Sequence, residues 1–386
     1  MALVNLRPPV RASAPGGRPR VVQLMPNLVG GGAETVVRTL CAGLSAEQID
    51  VTAVTVYRSG LDPAERAALQ ADLVDIGRRD RRDLGYFARL VRALREIRPE
   101  IVHAHLHTGQ YAGRVAAALA GVPRIVFTVH GEEPESALRH TSDRILDART
   151  DRFIVFTEAQ RRAFARKRRV ALERIEVIPN GVIAPAPIGD RSSVRSALGV
   201  PQRAFALYAS ARFWPQKNHK LAIEAVALLH GREELDDVHL VLAGTGPLEG
   251  ELRALARDHG LSERVHFLGF RADAATLGGA MDLFVMPSIW ERMPLALGEA
   301  MMGGLVPVLA PWDGHDEFVV DGETGFVAAD YSPQAFAAAI RRARGAGERD
   351  ASVTESARAS ANKLFSFGTM VRRHAALYRV LAGIRA

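Results

Sequence analysis

The chain predicts an α/β protein of two parallel, doubly wound sheets, one in each half of its 386 residues. Three observations predict it. Short apolar runs alternate with amphipathic helical stretches in both halves, the rhythm of consecutive βαβ units. Several of those runs have no polar face, as strands of a sheet covered on both sides should not. A Pro-rich stretch, Ala184–Gly189 (APAPIG), separates the halves and reads as a linker. In such sheets ligands sit outside the carboxyl ends of the strands, so function is sought just after each apolar run.

The bulk numbers narrow the class. A composition of 48% hydrophobic and 24% charged residues is globular, and 386 residues suffice for two domains. No run of about 18 uncharged apolar residues occurs, so no membrane-spanning helix is expected. Residues 1–18, rich in Pro, Gly, Ala and Arg, lack the apolar segment of a signal peptide and are expected to form a disordered tail. The single cysteine, Cys41, excludes an internal disulfide and fits a cytoplasmic setting. It lies in the helical pattern Val36–Leu44, where a buried thiol is expected. The net charge of +7 is uneven: residues 1–185 hold 28 Lys+Arg against 20 Asp+Glu, and the rest hold 22 against 23. The densest clusters are Arg78–Arg82 and Arg161–Arg169. No aromatic interleaving accompanies them, so nucleic acid is not the expected partner. An anionic membrane surface, an anionic acceptor or a plain solvated face fits equally.

In the first half, Arg20–Pro26 reads as a strand, and Asn27–Thr35 (NLVGGGAET) as a glycine loop opening a helix. It is not a dinucleotide fingerprint, which needs a glycine where Thr35 stands. Strands follow at Val51–Val56, Ile101–His105, Arg124–Val129 and Phe153–Thr157. Helices are expected at Pro63–Gln70, Leu84–Ile97, Gly109–Ala120 and Arg161–Arg169. His103, His105 and His107 alternate and would share one face of a strand; with no carboxylate or cysteine clustered beside them, a metal site is not expected. His130 ends the strand after them. In Ile175–Val182 (IEVIPNGV), Pro179, Asn180 and Gly181 read as a turn, since Asn and Gly tolerate positive φ.

In the second half, the strand Phe205–Ala211 runs into Arg212 and Lys217, ahead of a helix at Leu221–Leu229. The strand His239–Ala243 ends in Gly244-Thr245-Gly246-Pro247, and Val265–Phe270 is a further strand. The densest signal is Pro287–Leu309, PSIWERMPLALGEAMMGGLVPVL. A buried strand, Leu283–Met286, leads into it. Glu291 lies in the loop, and Pro294 stands at the start of a helix that contains Glu299 and closes at Gly303-Gly304. Val306–Leu309 is the next strand. Free N–H groups and the positive dipole end at that helix start suit a phosphate. Glu299 and Glu291 could then accept hydrogen bonds from a ribose and a sugar on either side of it.

The Glu291-x7-Glu299 spacing, the following Glu-Ala-Met and Gly304-x-x-Pro307-Val308 resemble the donor site of the retaining family 4 glycosyltransferases, which have the GT-B fold. Further elements that resemble the family are Arg212-x4-Lys217, Gly244-x-Gly246-Pro247, Ile178-Pro179-Asn180-Gly181, Gly314–Glu317 and Asp321–Phe326. The resemblance implies two Rossmann-like domains facing each other across a cleft. Residues 19–184 would bind the acceptor and 190–365 the nucleotide-sugar, with 366–386 a helix packing back on the first domain. His130, Glu291, Arg212 and Lys217 would be catalytic: His130 and Glu291 on sugar hydroxyls, Arg212 and Lys217 on the diphosphate, whose growing charge needs fixed cations. Donor-binding positions would be Gly31 and Gly32 of the glycine loop, Asn180, Gly244, Gly246, Gly269 beside the base, the backbone at Met293, Pro294 and Leu295, and Glu299 on the ribose. No metal and no cofactor is implied. The resemblance implies a sugar transferred with retention from a nucleotide-sugar, UDP favoured, to a lipid-linked, surface or natural-product acceptor in the cytoplasm, with peripheral membrane contact through the basic half. Other outcomes are a GT-B sugar-nucleotide epimerase or a catalytically silent sugar-nucleotide binder; a phosphorylase would need a pyridoxal lysine, which is not found. One position departs from the pattern: Arg292 stands where the family usually has glycine.

Overall fold

The computed structural model describes residues 17–131, 137–230, 237–347 and 352–384. All but the last two residues of the expected N-terminal tail lie outside that description. The chain forms two compact units, Met1–Gly181 with Phe367–Ala386, and Val182–Ser366.

The first unit is built on a seven-stranded sheet of β1 (Arg20–Met25), β2 (Asp50–Thr55), β3 (Asp72–Asp75), β4 (Ile101–His105), β5 (Arg124–Thr128), β6 (Arg152–Val155) and β7 (Ile175–Val177). Their order is β3-β2-β1-β4-β5-β6-β7, all parallel. β1 and β4 are buried along nearly their whole length because helices cover both faces, which is why they read as unbroken apolar runs. The helix Gly85–Ile97 turns Leu90, Val91 and Leu94 onto Val22, Val54 and Val102. Each such buried leucine contributes ~2 kcal/mol of hydrophobic stabilisation. The terminal helix Phe367–Leu381 belongs to this unit and buries Met370, Val371, His374 and Tyr378. Gly43 and Gly181 make room for it: a Cβ on Gly43 would lie 2.5 Å from Val371 Cγ2, and one on Gly181 2.5 Å from Phe367 Cα. Gly181 is thus required for close approach, not for the positive φ of a turn.

The second unit carries a six-stranded parallel sheet of β8 (Phe205–Ser210), β9 (Val238–Ala243), β10 (Val265–Gly269), β11 (Leu283–Met286), β12 (Val306–Leu309) and β13 (Phe326–Val327), in the order β10-β9-β8-β11-β12-β13. Leu207, Leu240, Val285 and Val308 meet helix residues Val226, Phe336 and Ile340 in its core.

Both sheets start in the middle, run to one edge, return and run to the other. The neighbours β1 and β4, and β8 and β11, therefore diverge in the direction of their connections, and a crevice opens beyond their carboxyl ends. Two sequence expectations are corrected. The strand of alternating histidines stops at His105, because Leu106 turns to φ 55°; His107 leaves the shared face and packs against Tyr111. The helix expected at Gly109–Ala120 is a π-helical turn over Gly109–Gly113 followed by α-helix over Arg114–Ala120. The helices Ala137–Arg149, Glu249–Asp258, Pro333–Gly347 and Ser352–Leu364 were not legible in the sequence pattern.

Candidate functional site

In the second unit the predicted residues converge beyond β8 and β11. The loop after β8 and the loop after β11 are laced together: Ile289 N–H donates to Gln216 O at 2.8 Å, and Gln216 Nε2 donates to Trp290 O at 2.8 Å. Lacing them brings the Lys217 ammonium to 2.6 Å from Glu291 Oε1, with side chains 19% and 6% exposed. Arg212 lies on the same loop, its guanidinium 5.7 Å from the Trp214 ring centre. Just beyond Glu291, Met293 and Pro294 are buried and the helix Leu295–Met302 begins with no side chain capping it. Its first N–H groups and dipole end add to the positive side of the site.

Gly244 and Gly246 hold this loop from beneath. A Cβ on Gly244, at φ 154°, would run into the Ala211 carbonyl oxygen. One on Gly246 would lie 2.5 Å from Phe213 O and 2.8 Å from Phe213 C and N. The close approach these glycines permit is therefore to the backbone of the Arg212 loop. Phe213 N–H donates to Thr245 O at 2.9 Å, and Gly244 N–H to Gly269 O at 2.8 Å, which links Gly269 (φ 68°) to the same layer.

Glu299 faces a small cavity lined by Tyr208, Ser210, Gly278, Phe284 and Ala296. Burial pushes its carboxyl above the ordinary value. A pair of ligand hydroxyls donating to it would favour the charged form, since hydrogen bonds to a carboxylate favour ionisation. Gly298 lets this helix rest on Phe365, whose ring would lie 2.6 Å from an added Cβ.

The first unit gathers a different group. His130 Nε2 is 3.0 Å from His105 Nδ1, and His105 Nε2 is 2.8 Å from Gln23 Oε1. Gln23 Nε2 donates to Tyr378 Oη at 2.9 Å, and Tyr378 Oη lies 2.6 Å from His103 Nδ1. His103 Nε2 ends the run, 2.7 Å from Thr128 Oγ1. Burial keeps these rings neutral: His130, with His374 nearby, is pushed down to about 3, and His374, with the Arg373 charge beside it, to about 4. His103 and His105 lie well below the ordinary histidine value for the same reason.

Gly31 caps the start of the helix Gly32–Ala46 with extended backbone. Glu34 folds back over it, its Oε2 2.6 Å from where a Gly31 Cβ would sit. Asn180 is buried beside Gly181 and the terminal helix. Cys41 is fully buried, and burial pushes its thiol up to about 12. Part of the basic cluster is not solvated: Arg168 bonds Asp143 and, at 2.8 Å, Asp147, which also holds the buried Arg114 at 2.8 Å. Sequence reasoning missed Gln23 and Tyr378, whose roles depend on contacts across the unit, and the exposed Trp214 and Trp290. No local signal marks the first two; an aromatic four residues past a strand end could have marked the tryptophans.

Among the described residues, no three His, Cys, Asp or Glu side chains are grouped so as to hold a metal ion, and no helix is long and apolar enough to cross a membrane. Residues 190–360 match the family model described as glycosyl transferases group 1, and residues 30–184 the model described as Glycosyltransferase Family 4. The UDP-Gal:alpha-D-GlcNAc-diphosphoundecaprenol alpha-1,3-galactosyltransferase of Escherichia coli is 33% identical over 258 residues, 64% of this chain and 66% of that protein. A D-inositol 3-phosphate glycosyltransferase of Mycobacterium sp. (strain KMS) is 31% identical over 246 residues, 58% of this chain and 54% of that protein. The chain thus spans between about half and two thirds of the length of these two relatives. Anabaena HepE, solved in complex with UDP and glucose, has the same fold, with a TM-score of 0.81 at 23% identity over 94% of this chain and 100% of that one.

Proposed function

The chain belongs to glycosyltransferase family 4 and has the GT-B fold, and from that premise we propose that it moves a sugar from a UDP-sugar to a hydroxyl of a lipid-linked glycan, with retention. The observation that carries the donor half is the Lys217–Glu291 pair at the crevice between β8 and β11, next to an uncapped helix start. In this reading Arg212, Lys217 and the first N–H groups of the helix from Leu295 receive the diphosphate, and Glu299 the ribose. Gly269 lies beside the base. On donor binding the Lys217 ammonium is shared with phosphate, and Glu291 turns to the sugar hydroxyls. His130 and the glycine loop at Gly31 and Gly32 serve the sugar and acceptor from the first unit.

The acceptor oxygen bonds to the anomeric carbon as the bond to the leaving phosphate breaks on the same face. The acceptor proton passes to that phosphate oxygen. Developing negative charge on the diphosphate is met by Arg212, Lys217 and the helix dipole, so the proposal uses no metal. Arg292 puts a guanidinium where relatives of this family usually have glycine, and we assign it to donor-sugar selection.

Similarity to an enzyme named for a diphosphoundecaprenol-linked acceptor supports the lipid-linked reading. So do the exposed Arg162 and Arg166 of the helix Glu158–Arg168 and Arg169 at its end, which are available to an anionic bilayer at the cytoplasmic surface. Similarity to D-inositol 3-phosphate glycosyltransferases favours a second reading, a small anionic acceptor. Incubation with UDP-galactose and either GlcNAc-diphospholipid or inositol phosphate separates them. Transfer to the lipid supports the first reading, transfer to inositol phosphate the second, and UDP release stimulated by neither removes both.

A further inference from the structure

The run of side chains behind His130 has a property that its distances alone do not state. Every neutral member must donate at one end and accept at the other. Gln23 offers Oε1 to His105 Nε2, which must therefore carry a proton. Neutral His105 then has only a lone pair on Nδ1, so His130 Nε2 must donate to it across 3.0 Å. Toward the other end, Gln23 Nε2 donates to Tyr378 Oη, so the phenol donates to His103 Nδ1, and His103 Nε2–H donates to Thr128 Oγ1. Gln23, His103, His105 and Tyr378 are all buried, so water cannot readily substitute for a lost member. Reversing one bond requires reversing all five, starting with rotation of the Gln23 amide.

We propose that Gln23 and Tyr378 are positioning residues that hold His130 in a single tautomer, with the proton on Nε2 and the lone pair of Nδ1 presented to a hydroxyl donor. The inference rests on the reading of His130 as a ligand of the transferred sugar. It adds that the acceptor character of that ligand is set from the terminal helix Phe367–Leu381, through Tyr378. Gln23 sits on β1 and His103 and His105 on the adjacent β4, so the sheet itself carries the wiring from helix to site.

A merely structural role for the buried network would change stability and leave the tautomer alone; a positioning role changes the tautomer. Two-bond proton–nitrogen correlation spectra of protein labelled with 15N-histidine measure it directly. The chain has 12 histidines, and His130→Ala identifies the signal of interest. The parent protein should show one His130 tautomer, protonated on Nε2. Tyr378→Phe removes only the oxygen that orients the Gln23 amide, and should give His130 a mixture of tautomers in a folded protein. Gln23→Leu removes the acceptor for His105 and should do the same. A parent His130 protonated on Nδ1, or variants whose His130 spectrum matches the parent, would overturn the proposal. The underlying reading has its own test: His130→Ala releasing UDP from UDP-glucose at the parent rate would remove the sugar role, whatever the spectra show.

Discussion

Removing the Lys217 ammonium should cost far more stability than its position on a loop suggests. Exposed ion pairs are worth up to ~1 kcal/mol, whereas stripping one partner from a buried pair costs ~3–5 kcal/mol. The Lys217–Glu291 pair is 2.6 Å long, and Glu291 is only 6% exposed, so Lys217→Met leaves a buried carboxylate with its main counter-charge gone. About 3 kcal/mol is expected, or roughly 6–12 °C in the melting temperature of a domain this size. Glu291→Gln keeps an acceptor for Lys217 and should cost about 1 kcal/mol. The double variant should be no worse than Lys217→Met alone, because the unpaired charge is gone; the coupling is about 1–2 kcal/mol. The assay is built into the chain. Its three tryptophans, Trp214, Trp290 and Trp312, all lie in the second unit, and Trp312 is buried, so intrinsic fluorescence reports that unit's unfolding alone. Single-variant losses that simply add, within ~0.5 kcal/mol, would show that Glu291 is solvated and the reasoning wrong.

Other consequences have their own assays, the first of them the same fluorescence. Gly246→Ala pushes a methyl onto three backbone atoms of Phe213 that cannot yield like a side chain; a loss of about 1–3 kcal/mol is expected, with weakened nucleotide binding, and an unchanged melting temperature would contradict the layering described. Acid should destabilise the protein through its buried neutral histidines, His130 at about 3 and His219 and His374 at about 4. Their folded values lie below the unfolded ~6.5, so this contribution is full above pH ~6.5 and is lost as pH falls toward about 4, at up to ~1.4 kcal/mol per pH unit per histidine. Glu299, raised by burial, works in the opposite sense at lower pH. Urea midpoints followed by far-ultraviolet circular dichroism, which sees both units, that stay flat from pH 7 to 5 would refute this. Arg292→Gly should change which UDP-sugar is hydrolysed fastest by tenfold or more, a shift of ~1.4 kcal/mol; an unaltered donor ranking would free Arg292 from any role in selection.

How much of this was legible beforehand depends on the range of the interaction. The bounds of β4, β11 and β12 follow from local apolar runs, and the glutamates, Arg212 and Lys217 are marked by the resemblance of their surroundings to the family's motifs. What pairs with what was not legible. Lys217 and Glu291 are 74 positions apart, and Gln23 and Tyr378 355 apart, so no periodicity links them. The glycines illustrate the same limit. Pattern alone identifies Gly244 and Gly246 as places where something approaches, but not that it is the chain's own backbone at Ala211 and Phe213. His107 fails for a local reason instead: a left-handed Leu106 ends the strand, and no residue type there announces it.

The central claim is that the second unit binds a nucleotide-sugar and that Glu291 acts on its sugar. The direct test is calorimetric binding and nucleotide release with UDP-, GDP-, ADP- and TDP-sugars, comparing the parent with Glu291→Ala. The parent should bind and slowly release UDP from at least one UDP-sugar, while Glu291→Ala binds UDP and releases at least a hundredfold more slowly, a loss of ~2.7 kcal/mol in transition-state stabilisation. A parent protein that neither binds nor hydrolyses any of these donors, or a Glu291→Ala variant as active as the parent, would contradict it.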